Sequence, residues 1–312
     1  MDPEAQEQLG SVLRRIMNDT GFLARQVPPL FHYTDYNGLA GIVSKDLLWA
    51  TNAKFLNDAS EVKYGFKIAR QAVHERQQSA KNAYWKELLR LAEQRYLSDP
   101  GSELSDAYVV CFCQHNNLLS QWRTYGADGG GYSMEFGFPS PLPPGTRSDF
   151  RCRAIFLERV AYEPAEQRRL LDELLDRVER AVVDVQGENL PPGESPGGFS
   201  ARILDAMLAS WLYTVKHPAF SSEHEWRLVL LPSVTVSGYV EHCNLLFRPG
   251  TMGLIPHITV RREPKLPLTS VTCGPNVNHE VAEHGVKMLL KKHGFEGVAD
   301  KVTSSTIPVR HL

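Results

Sequence analysis

The chain is expected to fold as an α+β protein, with a mixed or antiparallel central sheet, flanking helices and a helical insertion. Three observations predict this. The segments AYVVCFC (107–113), GYSMEFGF (131–138) and EWRLVLL (225–231) are β-rich. Their β-branched and aromatic side chains suit a pleated, buried surface. The stretch from about 58 to 97 is instead rich in Ala, Gln, Lys, Arg and Glu, the composition of a helix. Strands and helices do not alternate regularly, which disfavours a doubly wound parallel sheet.

Each element has its own signal. Leu9, Val12, Leu13 and Ile16 form a helical stripe that Gly21 can end. Pro28 and Pro29 exclude helix before the short strand of VPPLFHYT. Thr34 or Asp35 can cap a helix through Leu39, Ile42 and Val43. LLWAT (47–51) reads as a second strand. Asn57 and Asp58 open the 58–97 helical region, which is expected to break near Ser79–Asn82. LLSQWRTYG reads as a short helix ending at Gly126, ADGGG as a turn and PSPLPPGTRS (139–148) as a loop. Further strands are expected at 152–162, 255–261 and 268–273, with helices at 164–186, 200–215 and 278–293. The Pro-, Gly- and Ser-rich stretch 186–200 offers little to a core. KHPAFSSEHE (216–225) reads as a loop and TIPVRHL as a terminal strand. The whole, 1–312, reads as one unit carrying an insertion at 163–216.

Composition narrows the function classes. With 42% hydrophobic and 22% charged residues, 312 residues can bury a sizeable core. The net charge of -2 supplies no global basic field for nucleic acid. No apolar run approaches the roughly 20 residues that span a bilayer. MDPEAQEQLG is acidic and polar, unlike a secretory signal. Five cysteines (Cys111, Cys113, Cys152, Cys243 and Cys273) show no disulfide-like framework and read as reduced thiols. These features together predict a soluble cytoplasmic protein. Cys111 and Cys113 share one strand face without zinc-ligand spacing, so no metal ligands are assigned.

Four short segments concentrate polar and aromatic groups. In FHYTDYNGLAGIV, His32 lies on a strand whose neighbours Phe31 and Tyr33 point the other way. It can bond a ribose hydroxyl or phosphate, or a backbone carbonyl. In LWATNAKFLNDASE, Asn52, Asn57 and Asp58 are either helix caps or lining of a site loop. In LLSQWRTYGADGGGYSMEF, Trp122 and Tyr125 share a helix face, and Gly129, Gly130 and Gly131 allow close backbone approach to a ligand or simply a turn. No Lys follows in P-loop spacing. In KHPAFSSEHEWRLV, Glu223 and Glu225 flank His224 at a strand start, so both carboxylates are expected on one side. Such a pair suits stabilising a cationic sugar and deprotonating a hydroxyl. Arg227 continues that face and can neutralise one acid. Lys216, His217 and Arg248 are candidates for an anion site.

The order of these segments, with a later Cys273-Gly274-Pro275 turn and Ser305, Pro308 and Arg310, resembles the DUF2971 family over most of residues 30–312. A weaker resemblance is to the ADP-ribosyltransferase superfamily, with His32, Tyr132 and Ser133, and Glu223 with Glu225 at the matching positions. His32, with Tyr33 and Thr34, resembles the opening H-x-T of its DNA-modifying members. That resemblance implies an ADP-ribosyltransferase-like sheet and NAD as co-substrate. Under it His32, Tyr33, Thr34 and Asn57 line the nucleotide site with Tyr125, Ser133 and Arg227. His32 holds the adenosine-side ribose, and Trp122 or Tyr132 stacks on nicotinamide. Glu225 stabilises the oxocarbenium-like charge as the nicotinamide–ribose bond breaks, and Glu223 orients or deprotonates the acceptor. The acceptor is protein, nucleic acid or water; a toxin or phage-defence role with an antitoxin or other partner protein would fit. Two alternatives stay open. One is a metal-dependent nuclease or hydrolase using Asp58, Glu135, Glu223 and Glu225. The other is a non-catalytic ligand- or partner-binding module.

Overall fold

The computed structural model describes residues 8–13, 16, 26–56, 59–97, 107–139, 146–148, 152–185, 195–232, 245–250 and 253–308. The expectations for Gly21, Asn57, Asp58, Cys243, Arg310 and most of the 186–200 stretch lie outside these residues.

In chain order the elements are β1 (Leu30–Thr34), α1 (Tyr36–Lys45), β2 (Leu48–Asn52), α2 (Ala59–Ser79), α3 (Ala83–Tyr96), β3 (Tyr108–Cys113), α4 (Leu119–Thr124), β4 (Tyr132–Phe136), β5 (Thr146–Ser148), β6 (Cys152–Arg159), α5 (Pro164–Val185) and α6 (Pro196–Leu212). They continue with β7 (Glu225–Pro232), β8 (Leu246–Gly250), β9 (Gly253–Arg262), β10 (Leu268–Cys273), α7 (His279–Lys292), α8 (Glu296–Ala299) and β11 (Val302–Ser304). The α+β expectation holds. The sheet is mixed, with β10–β11 parallel and the other pairings antiparallel.

Local chemistry sets several boundaries. The Asp35 carboxylate accepts the Gly38 amide at 2.7 Å and starts α1. Asn82 accepts the Trp85 amide at 3.0 Å, so the long polar stretch restarts there as α3 after its break. Ser195 caps α6 with Pro196 in its first turn, which begins that helix before the expected position. Three expectations are corrected. The loop 139–148 ends in the edge strand β5. Leu246–Gly250 forms an unexpected strand whose Pro249 disguises it, because it pairs only with β9. Among the described residues the last strand is Val302–Ser304, and 306–308 of the expected terminal strand are not in one.

The sheet forks at β3. One long side of β3 pairs with β7 over residues 108–113, and β7 pairs onward with β6. The other side is shared: β2 pairs at Tyr108 and Val109, and β1 at Cys113. β1 carries a wing of β4, β10 and β11, while β2 carries β9, β5 and β8. Two cores fill the two faces. On one, α2, α3, α5 and α6 bury Trp85, Leu174, Phe199 and Trp211 against Val109, Phe156, Val229 and Leu231. On the other, α1, α7 and α8 bury Leu39, Val43 and Leu290 against Val110, Phe112, Met134, Phe136 and Leu228. Each large buried side chain contributes about 1.5–3 kcal/mol, and Phe199→Ala should cost about 3–5 kcal/mol. No helix among the described residues is long and apolar enough to cross a membrane.

Candidate functional site

The most concentrated chemistry sits where β7 begins. His217 accepts the Ala219 amide at 3.2 Å on Nδ1, and Pro218 follows in the first turn of a 3-10 helix, Pro218–Glu223. His224 then takes a left-handed conformation (φ 46°), which turns the chain into β7 at Glu225. Glu223 therefore ends a helix instead of sharing a strand with Glu225. Both carboxylates still converge, because each reaches Lys216 Nζ, at 2.5 Å for Glu223 and 3.4 Å for Glu225.

Arg227 closes the cluster. Its Nε and Nη2 donate to the two oxygens of Glu225, each at 2.8 Å, and Nη1 donates to the Tyr213 carbonyl at 3.1 Å. Burial alone would raise the Glu225 carboxyl; the charges of Arg227 and Lys216 overcome it and hold the group at about 2. Lys216 is fixed from behind: its carbonyl accepts Gln167 Nε2 at 2.8 Å, and the Gln167 amide also satisfies Ala161 and Tyr162. The cluster is thus two acids and two bases, electrically balanced and locked. The expected anion site at Lys216 and His217 is not formed, since Lys216 holds two carboxylates and His217 caps a turn.

Beside the cluster lies a pocket of about 80 Å³, lined by residues 31–33, 111–113, Gln121, Tyr125, Glu223 and Glu225. Pairing of Phe31 with Cys113, Cys113 with Glu225, and Cys111 with Arg227 places these five residues on the helix-bundle face of the sheet. Burial pushes the thiols up, Cys113 to about 11 and Cys111 well beyond its ordinary value, with Glu225 adding to Cys111. Neither is an activated nucleophile. Gln121, missed by sequence reasoning, is only 7% exposed. Its side-chain amide has no protein hydrogen bond among the described residues, although its backbone carbonyl ends α4.

The predicted ligand set divides across the sheet. His32 pairs with Met134, whose side chain belongs to the other core, so its Cβ leaves on the face opposite Glu225. Its Nδ1 donates to the Cys111 carbonyl at 2.9 Å, inside the fork, and its ring meets Phe112 edge-on at 5.8 Å. Burial lowers the imidazole and keeps it neutral. Thr34 and Tyr132 pair with each other on that same far side. Tyr33, Ser133, Trp122, Tyr125 and Arg227 stay on the near side. Tyr33 donates its hydroxyl hydrogen to His115 O and accepts the Leu118 amide, both at 3.0 Å. Trp122 is fully buried, edge-on to Tyr33 at 5.0 Å, and donates Nε1–H to Asn117 at 3.0 Å, so it offers no face for stacking. Tyr125 is 38% exposed at the pocket rim.

The glycine-rich turn serves packing. A Cβ on Gly131 would lie 2.2 Å from the Thr34 carbonyl oxygen, and one on Gly274 equally close to Gly129 O. The Gly274 and Asn276 amides donate to Gly131 and Gly129, each at 2.9 Å. Backbone meets backbone here, so the Cys273-Gly274-Pro275 turn and the triple glycine form one staple.

NAD does not fit these residues. An enclosed cavity of about 150 Å³ holds a benzene ring, so about 80 Å³ suits a group of a few heavy atoms. Glu225 has both oxygens committed to Arg227, and the His32 imidazole starts from the opposite face. Of the acids proposed for a metal, Asp58 lies outside the described residues and Glu135 accepts the Ser270 hydroxyl. No group of three or more His, Cys, Asp or Glu able to hold an ion occurs among the described residues.

Fold and site together define an α+β protein with a buried two-acid, two-base cluster beside a small amide-lined pocket. Residues 121–228 match the model of a family described as a protein of unknown function, DUF2971, so the DUF2971 resemblance read from the motifs holds over that stretch, which is shorter than the 30–312 expected. That match runs from Gln121 to just past Arg227, spanning the whole cluster and part of the pocket. No curated protein and no solved structure matches the chain, and no comparison links it to ADP-ribosyltransferases.

Proposed function

We propose that the protein is a ligand-binding module whose pocket takes one small polar group, a carboxamide or urea, from a small molecule or a side chain. One observation carries this: Gln121, only 7% exposed, presents at the wall of a pocket a carboxamide with no protein partner among the described residues. A ligand that both donates and accepts can pair with both ends of that carboxamide, a net gain of about 0.5–1.5 kcal/mol per hydrogen bond. Glu223, 24% exposed and in the same pocket, gives a second acceptor at the mouth. Phe31 and Tyr125 supply flat walls for a planar group. The balanced Lys216–Arg227 cluster favours a neutral ligand over an ion, and its rigidity pre-forms the site.

The test is titration of the protein with acetamide, urea and N-methylurea, read by chemical shift changes near Gln121. At about -1.5 kcal/mol per heavy atom as an upper bound, a four-atom amide binds no tighter than tens of micromolar. Gln121→Leu should abolish the shifts while circular dichroism stays unchanged. Equal shifts in that variant, or none in the wild type at tens of millimolar, would overturn the proposal.

A further inference from the structure

A second groove lies far in sequence from this pocket, on the α2–α3 hairpin. It encloses about 560 Å³ and is lined by Lys63, Phe66, Lys67, Arg70, Gln71 and His74 of α2 with Glu93 and Leu97 at the end of α3. That volume falls in the range of small-molecule sites, about 300–1,000 Å³. Residues 63, 67, 70 and 74 follow the i, i+4, i+7, i+11 rule, so their side chains form one stripe. The stripe is basic on a chain whose net charge is -2.

Much of the charge on this stripe is unused. On the helices packed beside it, several basic groups are matched with acids. Arg76 bonds Asp176, Arg168 reaches Glu75 at 2.7 Å and Asp172 at 2.8 Å, and Arg169 reaches Glu173 at 2.7 Å. Lys63 and Lys67 have no such partner among the described residues. Arg70 has Glu93 at 3.9 Å, and Glu93 also meets His74 at 3.4 Å. Among the described residues, three cations therefore face one carboxylate. Along the axis, Lys63 to Lys67 is about 6 Å and Lys67 to Arg70 about 4.5 Å at 1.5 Å per residue. Long flexible side chains at that spacing can close on two adjacent phosphates but not on widely spaced charges. Beneath them Phe66 and Leu97 form an apolar floor, and the lysine stems extend it.

We infer that the α2–α3 groove binds an organic diphosphate, with Lys63, Lys67 and Arg70 on the two phosphates and the organic part over Phe66 and Leu97. His74 and Glu93 bound the far end and limit the size of that part. The site is independent of the Gln121 pocket, so either can fail alone.

The experiment is calorimetric titration of the full chain with inorganic pyrophosphate and with ADP, at 20 mM and 150 mM salt. Both should bind, ADP more tightly because it adds the apolar contact, and both should weaken with salt. The Lys63→Ala/Lys67→Ala double variant should lose at least tenfold in affinity for both. Lys86→Ala, on the exposed face of α3, should change neither. Binding that the double variant leaves intact, or that Lys86→Ala weakens equally, overturns the assignment. So does tighter binding of a single-stranded oligonucleotide or a Glu-rich peptide than of ADP at 150 mM salt, since the groove would then serve a macromolecule.

Discussion

Replacing Glu225 by Gln keeps the shape of the side chain and removes its charge. Arg227 and Lys216, both nearly fully buried, then face each other with only Glu223 to balance them. Removing one partner of a buried ion pair typically costs about 3–5 kcal/mol. The pH dependence isolates the cause. Glu225 is held at about 2, against an ordinary value of 4.5. A carboxylate depressed in the folded state stabilises above its unfolded value and loses that contribution as pH falls toward the folded one. The gap corresponds to about 3 kcal/mol at neutral pH, of which about 2 kcal/mol should be gone by pH 3. Urea denaturation of wild type and Glu225→Gln between pH 7 and 3 reads this directly. Glu75, Glu87 and Glu283 are also held low, but they titrate in both proteins and cancel in the difference. The wild-type advantage should therefore shrink by about 2 kcal/mol across that range. A difference that stays constant with pH would refute the locked-cluster account of Glu225.

Other outcomes follow from single contacts. Gly131→Ala should destabilise by at least about 1–3 kcal/mol, because its methyl would meet the Thr34 carbonyl, and thermal melting measures this. His32→Phe should cost about 1–3 kcal/mol by orphaning the Cys111 carbonyl. Because burial lowers the His32 imidazole, its neutral form contributes above about pH 6.5 and the contribution falls as pH drops below it; denaturation of His32→Phe should lack that component. Replacing the pair outright, Glu225→Leu with Arg227→Met, should come within about 1–2 kcal/mol of wild type, whereas either single change should not.

The strands were legible wherever burial on both faces left an apolar run, as in YVVCFC and EWRLVLL. Leu246–Gly250 and Thr146–Ser148 escaped because edge strands need no such run, and their pairing partner lies elsewhere in the chain. The convergence of Glu223 and Glu225 was legible from spacing, although the turn at His224, not the pleat, brings it about. The side on which His32 leaves the sheet relative to Glu225 was not legible. It depends on the register of β1 with β3 and of β3 with β7, and those pairings join residues about 80 and 110 positions apart. Gln121 escaped for a related reason: a missing partner is a property of the assembled neighbourhood, and nothing in QWRTYG announces it.

The branching at β3 has a mechanical meaning. Two blades of sheet hang from one side of a single spine, and no described backbone ladder ties blade to blade. Along the middle of that side, an imidazole is the rivet. Twisting one blade against the other would strain side-chain packing and this one bond, but would break no row of amide bonds. Amide exchange should consequently report Leu30–Thr34 and Leu48–Asn52 as two separately opening leaves, and His32→Phe should loosen the hinge between them before it melts either.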